Sequence, residues 1–190
     1  MSEVKIANPA PLGLSGFALT TFVLSFINSG FLKETDAAIV LGIALFYGGI
    51  AQLLAGMWEF RSGNNFGATA FSSYGAFWLS FAAISLPGLG GGKALSSSAV
   101  GLYLIAWAIV TGILMIASFR TTGAVALVFV LLFITYLLLG IGKYTGSANI
   151  TNYGGYVGIL TAIAAWYAAM AGVVSGASNG KINLPTFPLG

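Results

Sequence analysis

Polar residues punctuate this chain rather than alternating with apolar ones. Charges gather at Glu3 and Lys5, at Lys33, Glu34 and Asp36, and at Glu59 and Arg61, then stand alone at Lys93, Arg120, Lys143 and Lys181. Between these markers run apolar stretches long enough to cross a hydrocarbon core, which takes about 20 helical residues. The pattern predicts six helices, at about 10–32, 37–60, 66–86, 97–119, 122–142 and 150–176. Closed barrels are the other spanning solution, but the run from Ala124 to Phe133 lacks the alternation that a barrel strand needs. The expected fold is therefore an all-α integral membrane protein, a bundle of six transmembrane helices forming a single domain over 1–190.

The first apolar stretch follows a lysine, as a signal peptide does. It is long, however, and Asn28-Ser29-Gly30-Phe31 offers no small-x-small cleavage site, so it is expected to be retained as a helix. Six crossings put both termini on one side. With the N-terminus inside, inner segments hold Lys5, Arg61, Arg120 and Lys181, and outer loops hold Lys33, Lys93 and Lys143. That excess tilts the reading towards cytoplasmic termini in an inner or plasma membrane.

Composition strengthens the membrane assignment. Of 190 residues, 58% are hydrophobic and 6% charged, and the mean hydropathy is +0.96, whereas a soluble domain carries about 25% charged residues. The net charge of +3 arises from scattered cations with no basic run, which gives nucleic acid nothing to bind. Cysteine and histidine are both absent. That removes disulfides, thiolate chemistry, Cys/His zinc sites and histidine-ligated haem, so no metal or cofactor is expected. Gly13-Leu14-Ser15-Gly16 resembles an intramembrane serine protease turn but has no histidine to act as base. Gly88–Gly92, followed by Lys93, lacks the spacing of a phosphate-binding loop. No enzyme activity is expected.

What remains inside the bilayer is neutral and hydrogen-bonding. Thr20, Thr21, Ser25, Asn28, Gln52, Tyr74, Thr111, Thr135 and Tyr136 belong to this set. Hydroxyls usually bond their own helix backbone. An amide cannot satisfy both its ends locally, which favours a pore-lining role for Gln52. Glu59, at the inner end of the second helix, is the carboxylate closest to the core and the candidate for any proton linkage. The last helix carries Gly154, Gly158, Ala162, Ala165, Ala169, Gly172 and Gly176 at helical spacing. Such a seam serves close packing, either within one bundle or between subunits.

The start of the first helix is the most informative segment. In Asn8-Pro9-Ala10-Pro11-Leu12-Gly13-Leu14 the prolines suit a first helical turn, and Asn8 can cap it. A rigid helix start explains the segment structurally. A helix N-terminus also carries free N–H groups and partial positive charge, a natural place for a carboxylate.

These residues resemble the signature of the acetate/succinate permease family (the YaaH/SatP group, with fungal acetate and ammonium-export relatives). Phe46-Tyr47-Gly48-Gly49-Ile50-Ala51-Gln52 and the block from Gly63 to Trp78 are similar to further family blocks. The likeness implies six-helix hexamers in which each protomer holds its own pore for small monocarboxylates and dicarboxylates. It also implies an apolar constriction of Phe17, Tyr74 and Leu132, the last matched by position alone. Those three lie about 7, 8 and 10 residues past the expected helix starts, or roughly 10–15 Å deep, compatible with one plane. The expected function is transport of acetate, and of succinate as a further substrate, by a channel-like or proton-linked permease. Asn8, Pro9, Ala10, Pro11, Leu12, Gly13, Leu14, Thr20, Thr21 and Gln52 are the candidate substrate contacts. A neutral-solute or ammonium pore, and a structural or receptor-like membrane protein, stand as alternatives.

Overall fold

The computed structural model describes residues 6–86 and 95–189. Six long helices run through them. They are α1 (Ala10–Asn28), α2 (Glu34–Ser62), α3 (Asn65–Ser85), α4 (Ser97–Ser118), α5 (Gly123–Thr145) and α6 (Ala148–Ala177). All but α3 are long and apolar enough to cross a membrane by length and composition. The 21 residues of α3 reach about 31 Å, also a membrane's hydrocarbon thickness. Its serines, threonine and asparagine lower its hydropathy.

Helix ends follow local chemistry more closely than the charge pattern could indicate. The first helix was expected to reach 32 but stops at Asn28. Ser29 Oγ donates to the Phe26 carbonyl at 2.9 Å, and Gly30, at φ 82°, takes the left-handed turn that follows. The second helix starts before 37, because Asp36 accepts the Lys33 N–H at 3.1 Å and closes a 3-10 turn over Glu34–Ala37. The fifth runs past 142 to Thr145, where left-handed Gly146 ends it, so Lys143 lies inside the final helical turn. Asn64, Ser96, Thr122 and Ser147 cap α3 to α6, each accepting a backbone N–H three residues on.

One irregularity shapes the bundle. Within α2, residues Phe46–Ala51 form a π segment between the α-helical stretches Ala38–Leu45 and Gln52–Ser62. The glycines let α1 press into this bulge. A Cβ on Gly48 would meet Thr20 Oγ1 at 2.6 Å, and one on Gly16 would meet the Tyr47 carbonyl oxygen at 2.5 Å. Widened turns of this kind recur where function needs a local change of helix geometry.

The helices pack in the order α4, α5, α6, α1, with α2 and α3 a tightly joined pair leaning on α1. Contacts between α3 and α4 are sparse. That leaves a wedge between α1, α3, α4 and α5 on the face where α1 ends. The small-residue seam of α6 packs within the protomer: Gly154 lies against Leu139, Gly158 against Ser25 and Gly172 against Pro11. Gly176 and Gly42 face open space. Apolar side chains also cover the outside. Ile109, Ile113 and Ile116 of α4 and Leu160, Ile163 and Val173 of α6 are half exposed or more, as lipid-facing residues are. The C-terminal segment folds back on the α4–α5 turn, where Phe187 and Thr186 carbonyls accept the first N–H groups of α5 from Gly123 and Ala124.

Candidate functional site

The wedge holds a cavity of about 490 Å³. At its mouth are Asn28 from the end of α1, Glu34 from the start of α2, Ser85 from the end of α3 and Lys143 from the end of α5. Its walls are mostly apolar and aromatic. Phe77 stacks on Tyr103 at a centroid distance of 5.8 Å and meets Tyr136 edge-on at 5.4 Å. Such offset and edge contacts fix ring orientation in a packed wall. Phe17 and Leu132 also border the cavity, the deepest of its α1 and α5 residues along their helices.

Of the three candidate constriction residues, Phe17 and Tyr74 meet at this depth, and Leu132 borders the cavity together with Phe17. Phe17, Tyr74 and Leu132 are only 4%, 3% and 4% exposed. Phe17 and Tyr74 are in ring contact at 5.9 Å, and Tyr74 also touches Phe129 and Trp107, at 6.1 and 6.3 Å. Tyr74 does not itself border the cavity. Its hydroxyl donates to Thr111 Oγ1 at 3.0 Å, linking α3 to α4. The Tyr74 hydroxyl is therefore engaged inside the protein.

The candidate substrate contacts fall in three places. Thr21 borders the cavity, and its hydroxyl has no partner. Thr20 does not: its hydroxyl donates to the Gly16 carbonyl at 2.9 Å and packs on the α2 bulge. Gln52, the residue just after the π segment, is fully buried outside the cavity with Oε1 unpartnered. Asn8 to Leu14 lie at the opposite face. There Asn8 Oδ1 accepts the Ala10 N–H at 3.0 Å, Pro11 seats against Gly172 of α6, and Gly13 lies under the Phe71 ring. The cap residue by geometry is Pro9, so Asn8 holds the helix start from one position further out.

Glu59 is buried and also away from the cavity. Its Oε2 accepts from Asn64 Nδ2 at 2.9 Å and from Ser62 Oγ at 3.3 Å, while Oε1 has no partner. Asn64 in turn caps α3 through the Gly67 N–H. The carboxylate thus fastens the α2–α3 turn. Among the described residues, no three His, Cys, Asp or Glu side chains cluster as a metal site would require.

Some cavity residues escaped the reading of the sequence as site residues. Trp78 stands in the cavity wall with its indole N–H unpartnered, a second orphan donor beside Thr21. Tyr103 and Lys143 also border the cavity. A clue for Lys143 was its place three residues before Gly146, which puts it in the last helical turn rather than in a loop.

Comparison with known proteins narrows what such a bundle can be. The model of the GPR1/FUN34/yaaH family matches residues 1–190. The chain belongs to this family. Among family members, it is 40% identical over 191 residues to the succinate-acetate/proton symporter SatP of Escherichia coli K12, covering 100% of this chain and 98% of that one. Acetate permease A of Emericella nidulans is 46% identical over 191 residues, 92% of this chain and 64% of that protein. Ammonia transport outward protein 2 of Saccharomyces cerevisiae is 46% identical over 177 residues, 90% of this chain and 63% of that one. The chain thus spans just under two thirds of these two fungal proteins. A solved structure described as the bacterial acetate channel SatP superposes with a TM-score of 0.89 at 39% identity, over 96% of this chain and 99% of that one. The family member described here is a multi-pass membrane protein with that fold.

Proposed function

We propose that this protein moves small carboxylates, acetate first and succinate as a further substrate, through a path inside each protomer. The observation that carries the reading is the cavity of about 490 Å³ with Phe17 and Leu132 among its lining residues, in a chain that superposes on a bacterial acetate channel. The path begins in this cavity, passes a closed neck of Phe17, Tyr74 and Leu132, and leaves on the face of the Asn8–Leu14 helix start. An apolar constriction resists wetting and so holds back hydrated ions. A carboxylate that loses water there needs replacement donors. Thr21 and Trp78, with unpartnered donors in the cavity wall, supply them on the near side. On the far side the Gln52 side-chain amide would have to supply them, because the first N–H groups of α1 are already engaged, Ala10 by Asn8 Oδ1 and Leu12 and Gly13 by the Pro9 carbonyl.

Proton linkage follows most simply if a proton crosses with its substrate, since the cavity's titratable carboxylate among the described residues is Glu34 at the mouth. Glu59 would serve a separate relay. The single transmembrane domain assembles as a homo-hexamer in the cell's inner or plasma membrane with both termini cytoplasmic. The outward-facing Gly42 and Gly176 are positions where a neighbour could approach closely.

Radiolabelled acetate uptake into proteoliposomes, with and without a pH gradient, tests this reading. Uptake above protein-free liposomes supports it, and stimulation by an acid exterior marks proton linkage. A second reading, ammonium export, draws on the likeness to ammonia transport outward protein 2. Labelled methylammonium efflux without acetate uptake would favour it.

A further inference from the structure

Beside the large cavity lies a second one of about 280 Å³, walled largely by polar groups, among them Ser97, Ser147, Thr151 and Asn152. Ile27, Asn28, Glu34 and Lys143 border both cavities. Lys143 is the only cation among the described residues that borders either one. Its ammonium thus stands where an apolar chamber meets a polar chamber.

The backbone beneath that ammonium is held firmly. Ser97 Oγ donates to the Lys143 carbonyl at 2.6 Å, and the neighbouring Gly142 packs against Thr151 of α6. The ammonium itself is held loosely. Its partner, Glu34 Oε1, is 3.7 Å away, with the two side chains 31% and 89% exposed. An ion pair this exposed adds little to stability. A competing carboxylate can therefore take the place of Glu34.

Resting on the carboxylate-transport reading, we propose that Lys143 is the docking charge for substrate carboxylates at the cavity mouth, with Glu34 as its internal competitor. The junction also explains how one site takes two substrate classes. The methyl group of a monocarboxylate turns into the apolar cavity. The second carboxylate of a dicarboxylate turns into the polar cavity, towards Asn28, Ser147 and Thr151. Glu34 returns to the ammonium as the substrate moves on, which keeps the positive charge from trapping the anion.

The chain has no cysteine, so Lys143→Cys introduces a single thiol whose charge can be set after folding. Purified Lys143→Cys in proteoliposomes is treated with a trimethylammonium or a sulfonate methanethiosulfonate reagent, and initial acetate influx is measured at about 10 mM and about 150 mM salt. Losing one charge about 4 Å from the carboxylate in water should lower the low-salt rate about fivefold. The gap should shrink at high salt, as the Debye length falls from about 30 Å to about 8 Å. The trimethylammonium adduct should restore the rate and the sulfonate adduct depress it further. Glu34→Gln, at an exposed position, should raise the low-salt rate in a chain that keeps Lys143. Equal rates for both adducts, or no effect of Glu34→Gln, would overturn the proposal while the parent still carries acetate. A parent that carries none overturns the transport reading beneath it as well.

Discussion

Tyr74→Phe gives the sharpest test of how the neck is built. The substitution keeps the ring, and with it the contacts to Phe17, Phe129 and Trp107. It removes one hydroxyl, which donates to Thr111 Oγ1 at 3.0 Å between two side chains that are 3% and 0% exposed. Net hydrogen-bond contributions are about 1 kcal/mol, and leaving a buried partner unsatisfied costs about 1–3 kcal/mol. Inside a membrane bundle, measured couplings between such pairs average about 0.6 kcal/mol. Tyr74→Phe should therefore destabilise the protein by about 1 kcal/mol, and Thr111→Val by a similar amount. The double variant should cost less than the two singles together, because neither hydroxyl is then left unpaired. Unfolding of the four proteins in mixed micelles of increasing SDS content measures this cycle. Flux of acetate against a bulkier monocarboxylate, in proteoliposomes of matched protein content, measures function. Since the hydroxyl is engaged by Thr111 and Tyr74 does not border the cavity, the flux ratio should stay at the parent value. A changed ratio with no coupling in the unfolding cycle would refute the argument and return the hydroxyl to the substrate.

Phe17→Ala or Leu132→Ala should widen the neck and raise the flux of the bulkier acid relative to acetate, at a packing cost of about 2–5 kcal/mol. An unchanged ratio in both would mean the path runs elsewhere. Asn8→Ala removes the acceptor for the Ala10 N–H and should cost about 1 kcal/mol. If the helix start also meets substrate, transport per folded protein falls further, and equal losses in both quantities would leave a purely structural role. Glu59→Gln replaces an acceptor of the Asn64 and Ser62 bonds with an amide and should lower thermal stability. Stimulation of acetate uptake by an acid exterior should survive it, and loss of that stimulation alone would make Glu59 a proton relay.

The apolar runs and their charged punctuation determined the membrane bundle and its helix count, because a bilayer demands about 20 apolar helical residues per crossing and nothing distant need be known. Loss of histidine and cysteine chemistry was equally legible, being a matter of composition. Helix ends were less so: Ser29 with Gly30, and Gly146, stop their helices through bonds and φ values that a charge count does not report. Which hydroxyls face a path lay further out of reach. Thr20 and Thr21 are neighbours in sequence with the same chemistry. They point about 100° apart on a helix of 3.6 residues per turn, so Thr20 packs against the α2 bulge and Thr21 borders the cavity. The rotation of α1 about its axis decides between them, and it is set by how Gly16 and Gly48 let α1 and α2 close together. Tyr74 depended likewise on Thr111, a residue 37 positions away. The position of Lys143 between two cavities exists only once α1, α2 and α5 bring Asn28, Glu34 and Lys143 to one face, since long-range packing and no local signal sets that meeting.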